Sequence, residues 1–135
     1  MKAFKRIQPK TSDDIKCGND CMIRSVTLAT GAPYNKVYEL MYKLGWRTNR
    51  KTSKGNWEDQ ITKTLDELGF TTTKIKYPPI KGQSRMTAKT MPNTGNYILR
   101  IAKHVVNMNE GILQDTFDCS DKCVYFAWEI TSKPS

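Results

Sequence analysis

The hydrophobic periodicity of this chain changes once, near Gly69, and that change limits the possible folds more than any other feature. Before Gly69, apolar residues recur at spacings of three and four, which is typical of amphipathic helices. After it, they alternate with polar residues in runs rich in β-branched and aromatic side chains, which is typical of strands. We therefore predict that residues 1–135 form one α+β domain, with N-terminal helices packed on a C-terminal antiparallel sheet.

Turn and cap residues define the expected boundaries of these elements. The predicted helices run from Cys21 to about Thr30, from Pro33 to about Leu44 and from Asn56 to about Leu68. The predicted strands run from Phe70 to Tyr77, from Gly95 to Val106, from Ile112 to Phe117 and from Val124 to Ile130. Residues 2–10, where apolar positions alternate loosely with basic ones, are predicted to form either an edge strand or a basic arm.

Cys21 is expected at the first position of a helix, because Asn19 and Asp20 are both good N-cap residues. A thiol in this place feels the positive end of the helix dipole and nearby unpaired N–H groups, which favour the thiolate and lower its pKa. Cys21 is therefore a candidate nucleophile. The alternative interpretation is a small buried hydrophobic residue on the inner face of the helix.

His104 is the only histidine, and a tight turn at 107–111 is predicted to join its strand to the strand of Asp115. If the loop has two residues, 109–110, His104 pairs directly with Asp115 and the two side chains share a face. If Gly111 takes a left-handed bulge position instead, the register moves by one residue. A neighbouring carboxylate would orient the imidazole as a general base. The alternative is a partly buried polar histidine without a catalytic role.

Together these residues resemble the papain-like cysteine peptidase superfamily, and more closely its small bacterial and phage members, which include domains related to bacteriocin-processing peptidases. The motifs that carry the resemblance are Asp20-Cys21-x-x-Arg24-Ser25, Ala29-Thr30-Gly31-x-x-Tyr34, Gly95-x-Tyr97-Ile98, His104-Val105-Val106, Gly111-x-Leu113-x-Asp115-Thr116 and Trp128. The resemblance implies a papain-like fold and a cysteine-dependent hydrolase or acyltransferase that acts on a peptide, isopeptide or amide bond. Cys21 would be the nucleophile, His104 the general base and Asp115 the group that orients the imidazole. It also implies a phage accessory protein that acts on a host target.

The chain departs from the family pattern at the oxyanion site. Papain-like enzymes place a glutamine shortly before the cysteine, and Ile15 occupies that place here. Gln8 and Asn19 are therefore the candidate oxyanion donors, together with the backbone N–H of Cys21. The missing glutamine favours the alternative function, a non-enzymatic basic binding protein on a papain-like fold.

The four cysteines form two matched pairs, Cys17-x-x-x-Cys21 and Cys119-x-x-x-Cys123. One zinc ion held by all four thiolates is an alternative interpretation, as are two disulfides, a redox lock between the pairs, or no relation at all. Zinc ligands are more often separated by two residues, and zinc on Cys21 would remove the nucleophile. We therefore expect no metal and no other cofactor.

Charge suggests the kind of partner. The chain has 22 Lys and Arg against 13 Asp and Glu, a formal net charge of +9, and it has no acidic residue in 41–56 or 69–108. Such stretches attract polyanions, or they simply keep a protein soluble. The predicted basic surface for an acidic host protein comprises Arg47, Arg50, Lys51 and Lys54. A nucleic-acid partner is the alternative, but no recognisable nucleic-acid motif supports it.

No apolar run approaches the length of a membrane span, and no apolar stretch follows the basic N-terminus. We expect a cytoplasmic protein without a membrane partner, in the host cytoplasm if it is encoded by a phage.

Overall fold

The computed structural model describes residues 1–9, 20–47 and 57–134 and confirms the α+β class. The three helices are α1 (Cys21–Thr30), α2 (Tyr34–Lys43) and α3 (Trp57–Glu67). The six strands are β1 (Ala3–Arg6), β2 (Phe70–Lys76), β3 (Asn96–Ile101), β4 (His104–Asn109), β5 (Ile112–Asp115) and β6 (Phe126–Ser132). One short 3₁₀ turn covers Ala88–Thr90. No helix among these residues is both long enough and apolar enough to cross a membrane.

The strands form one mixed sheet in the order β1-β5-β4-β3-β6-β2. Every neighbouring pair is antiparallel except β1 and β5, which run parallel with Phe4 opposite Leu113. The prediction of a wholly antiparallel sheet is therefore wrong at this edge. Most of the chain lies between β1 and β5, and so long a connection permits a parallel pair. Of the two interpretations of residues 2–10, the structure contains the edge strand.

Helices α1 and α3 contact the sheet, α2 contacts both of these helices, and the helices contribute to the larger of the two hydrophobic cores found in the described residues. This core combines apolar residues of the helices, Ile23, Val26, Val37, Met41, Ile61 and Leu65, with apolar residues of the strands, Ile98, Val105, Trp128 and Ile130. A second core includes Leu99, Val106, Leu113, Cys119 and Ala127. Because α1 packs directly against β4, the start of the cysteine helix lies close to the start of the histidine strand.

The predicted helix ends agree closely with the structure where glycine or proline defines them. α1 ends before Gly31, which has φ 76° and donates its N–H to the carbonyl of Thr27. Pro33 is the N-cap of α2, where its φ of −61° suits the chain. The left-handed conformation at Gly31 favours a residue without a Cβ, which is why a glycine in the sequence indicates the end of this helix.

The predicted strand from Gly95 to Val106 is wrong, because a tight turn divides it into β3 and β4. Ile101 pairs with His104, so the turn consists of Ala102 and Lys103, and Lys103 has φ 52°. Neither residue is a turn former, and the apolar pattern continues across them, which explains the error. As a result, His104 is the first residue of a strand and follows a turn directly.

The predicted pairing of His104 with Asp115 is wrong by two residues. The loop between β4 and β5 is Glu110-Gly111, with φ 51° and 79°, and not 109–110. Asn107 pairs with Gln114, so the register brings Val106 opposite Asp115. His104 and Asp115 are therefore diagonal neighbours, a separation that long side chains can bridge.

Candidate active site

Cys21 and His104 meet where the start of α1 touches the start of β4. Cys21 is half-buried, and its sulfur hydrogen-bonds with His104 and with the backbone of Val105. The contact with Val105 is an N–H group directed at the sulfur, which favours the anionic thiolate over the thiol. The structure thus brings together the two residues that the sequence indicated as nucleophile and base.

The imidazole of His104 is held on its far side by Asp115. Nε2 of His104 lies 2.5 Å from Oδ2 of Asp115, which leaves Nδ1 as the ring nitrogen available to Cys21. The ring of Phe117 lies against the imidazole, with 5.1 Å between the ring centroids. The carboxylate and the aromatic ring together fix the orientation of the imidazole, as a catalytic base requires.

The three side chains shift one another's pKa values. Burial would raise the pKa of Cys21, but the hydrogen bond and charge of His104, the N–H of Val105 and the charge of Arg24 together lower it below 9.0. Burial would lower the pKa of His104, but Asp115 and Cys21 raise it to about 9. Burial would likewise raise the pKa of Asp115, yet His104, a backbone N–H and Arg24 lower it. These directions favour the charged thiolate–imidazolium form of the pair over the neutral form.

Arg24 connects this triad to a second buried carboxylate. Its guanidinium pairs with Asp20 through Nη1 and with Asp115 through Nη2, the latter at 3.1 Å. Asp20 is fully buried and also accepts a 2.8 Å hydrogen bond from the hydroxyl of Tyr34. Sequence reasoning assigned no role to this network. The sequence feature that could have indicated it is the four-residue spacing between Asp20 and Arg24, which places an acidic and a basic side chain on the same face of a helix.

The structure describes Gln8, one of the two predicted oxyanion donors. Nε2 of Gln8 donates to Oδ2 of Asp20 and to the carbonyl of Pro9, each at 3.4 Å, so its amide contacts the buried charge network. Asn19 lies outside the described residues. Asp20 occupies the N-cap position of α1, but its side chain makes no capping hydrogen bond, because Arg24 and Tyr34 engage the carboxylate instead.

The site opens into a cleft of about 490 Å³. Its lining combines the reactive pair with aromatic and basic side chains: Asp20, Cys21, Met22, Arg24, Trp46, Arg47, Trp57, Arg100, Lys103, His104, Val105 and Phe117. Of the predicted basic surface, Arg47 belongs to this lining, and Arg50, Lys51 and Lys54 lie outside the described residues. A cleft of this volume suits a small molecule or a few residues of a peptide.

The described cysteines do not form the alternative four-thiolate zinc site. Cys21, Cys119 and Cys123 are free thiols, and Cys17 lies outside the described residues. Cys119 instead approaches Asp115, with its sulfur 3.8 Å from Oδ2. In the described part of the chain, the ligand atoms that could hold a metal belong to His104, Asp115 and Cys119, within 4.8 Å of one another.

The chemistry of this trio predicts weak zinc binding at neutral pH. Burial and the charge of Asp115 raise the pKa of Cys119 to about 12, and the pKa of His104 is about 9. Both groups must lose a proton before they bind a metal, and the ion must also break the bond between His104 and Asp115. Native mass spectrometry at neutral pH should show the apoprotein after buffer exchange. One retained zinc ion per chain would contradict this expectation.

Comparison of the chain with protein-family models, curated proteins and solved structures gives no significant match.

Proposed function

We propose that this protein is a cysteine-dependent hydrolase or acyltransferase with a papain-like arrangement of its active site. The observation that carries the proposal is the unbroken hydrogen-bonded chain from Cys21 through His104 to Asp115 at the mouth of a cleft. The cysteine at a helix start, the histidine on a strand and the aspartate on the adjacent strand follow the order of papain-like enzymes. The contacts that lower the pKa of Cys21 support the same role, since the thiolate is the nucleophile.

The geometry supports a two-step acyl transfer. The sulfur of Cys21 attacks the carbonyl carbon of the substrate, forms a carbon–sulfur bond and moves the carbonyl electron pair onto oxygen. As the carbon–nitrogen bond breaks, the proton on His104 moves to the leaving amine, and a thioester remains on Cys21. Water or an acceptor amine then attacks the thioester and gives its proton to His104, and the thiolate is released.

The residues around the pair support distinct parts of this reaction. The amide of Cys21 at the start of α1 is a suitable donor to the oxyanion, since helix N-termini stabilise negative charge. Asp115 stabilises the imidazolium and keeps Nδ1 directed at the sulfur. Arg24 holds Asp115 in place, so it is a positioning residue and does not itself contact the reacting atoms.

Thiol alkylation at different pH values tests the proposal. Iodoacetamide followed by mass mapping should modify Cys21 well before Cys119 at acidic pH, because the pKa of Cys21 is lowered and that of Cys119 is raised to about 12. The rate for Cys21 should rise with an inflection below pH 9, the ordinary value for a cysteine. Equal rates at Cys21 and Cys119 would contradict an activated nucleophile.

A further inference from the structure

Three basic side chains of the cleft, all except Arg24, have no acidic partner among the residues that the structure describes. Arg47, Arg100 and Lys103 all line it, and in residues 1–9, 20–47 and 57–134 none of them forms an ion pair with a carboxylate. Among the described residues of the lining, the only acidic one is Asp20, which is buried and already paired with Arg24. The accessible charge of the cleft is therefore positive. A cleft with charge of one sign concentrates ligands of the opposite sign.

Two of these cations are held in place before any ligand arrives. The guanidinium of Arg47 stacks on the ring of Tyr42 at 3.8 Å, and its Nη1 donates to the carbonyls of Tyr42 and Trp46 at 3.0 and 2.7 Å. Arg100 lies over the ring of Trp57, 4.9 Å from the centroid. Pre-positioned arginines lose little side-chain entropy when they bind a carboxylate. This favours a role of Arg47 and Arg100 in binding a ligand over a role in solubility alone.

Two aromatic side chains of the cleft are also held in place, because they pack on neighbouring rings. Trp57 packs edge to face on Trp128, with 6.0 Å between centroids, and Trp46 packs on Tyr38 at 5.3 Å. Phe117 is 47% exposed beside His104, although it is a large apolar residue. These rings form apolar walls next to the thiol, where they can contact the backbone and the methylene groups of an extended peptide.

We infer that the cleft binds an acidic polypeptide segment, in which Asp or Glu side chains flank the carbonyl group that Cys21 attacks. This inference rests on the proposed function and adds its substrate class. Arg47 follows α2, Arg100 lies on β3 and Lys103 lies in the turn before His104, so the cations come from separate elements around the thiol. A polypeptide fits better than a nucleic acid, because a thiolate that transfers acyl groups needs a carbonyl carbon in an amide or ester.

Peptide probes that share one electrophile test the inference. Each probe would carry a vinyl sulfone after a glycine, preceded by two Glu, two Gln or two Lys residues. At low ionic strength the Glu probe should modify Cys21 about tenfold faster than the Gln probe, and the Lys probe should be the slowest. The advantage of the Glu probe should shrink as salt is added, because the charges are accessible to solvent.

Substitutions in the cleft should remove this selectivity. Arg100→Gln and Lys103→Asn should each lower the ratio of the Glu probe rate to the Gln probe rate severalfold; asparagine tolerates the left-handed conformation at position 103. Lys81→Gln, a change at an exposed position outside the cleft, is the matched control and should leave all rates unchanged. The probe series on the unaltered protein keeps the test decisive if Arg100→Gln fails to fold.

The outcomes separate this inference from the proposed function. Slow iodoacetamide alkylation of Cys21 would overturn the proposed function itself. Rapid alkylation by iodoacetamide combined with equal rates for the three peptide probes would overturn only the acidic substrate class. Protection of Cys21 by a single-stranded oligonucleotide, with no advantage for the Glu probe, would assign the cleft to nucleic acid and would likewise overturn the inference.

Discussion

Replacing His104 by alanine is expected to slow the alkylation of Cys21 near pH 6 by about a hundredfold. His104 supplies both a hydrogen bond and a positive charge to the sulfur, and without them only the N–H of Val105 and the charge of Arg24 oppose the effect of burial, which raises the pKa of Cys21. The thiolate then becomes scarce at this pH. The measurement is the rate of iodoacetamide modification of Cys21 across a pH series, resolved by peptide mass mapping.

The stability of the same variant provides an independent control. The pKa of His104 is about 9 in the folded protein against an ordinary 6.5, so the folded state binds this proton more tightly than the unfolded state. The resulting stability is fully present below about pH 6.5 and is lost as the pH rises through about 9. The difference in unfolding free energy between the unaltered protein and His104→Ala should shrink over that range. A difference that does not depend on pH would show that His104 is not charged in the folded protein.

The Arg24→Met variant is expected to lose about 3–5 kcal/mol of folding free energy, the largest stability effect that the site predicts. Methionine keeps much of the apolar stem but leaves the carboxylates of Asp20 and Asp115 buried without their shared cation. Asp20 keeps the hydrogen bond from the hydroxyl of Tyr34 at 2.8 Å and a longer one from Gln8 at 3.4 Å, and neither donor carries a charge. Urea denaturation at neutral pH gives the loss directly.

Lys133→Met is the matched control, since it removes an ion pair with Asp66 in which both side chains are exposed. Its expected cost is at most about 1 kcal/mol. The loss of unfolding free energy caused by Arg24→Met should also become smaller as the pH falls below 3.8. Arg24 helps to lower the pKa of Asp115, and this contribution to stability disappears when the carboxylate is protonated. Equal losses of unfolding free energy for Arg24→Met and Lys133→Met would contradict a structural role for the ion pairs of Arg24.

The helices were predictable because their ends depend on local chemistry. Gly31 and Pro33 satisfy backbone requirements that no tertiary contact alters, so both appear where the sequence indicated. The turn at Ala102-Lys103 was not predictable in this way. Its left-handed Lys103 carries no turn-forming side chain, and the pairing of β3 with β4 and β6 compensates for the conformational cost.

The candidate site was likewise predictable only in part. Cys21, His104 and Asp115 were accessible to sequence reasoning, because a helix cap, a lone histidine and a nearby carboxylate are visible as local patterns. The contacts of Arg24 with Asp115 and of Tyr34 with Asp20 join residues on different elements. No periodicity indicates such contacts, since they depend on how α1 and α2 dock on the sheet.

The separation of the triad along the chain has a consequence for folding. His104 and Asp115 are 11 residues apart on adjacent strands, so a short hairpin is enough to bring them together. Cys21 lies most of the chain length away and reaches them only when α1 docks against β4. A partly folded chain in which α1 has not docked therefore lacks the contact between Cys21 and His104. Acid-range reactivity of Cys21 is therefore expected to report the completion of tertiary docking.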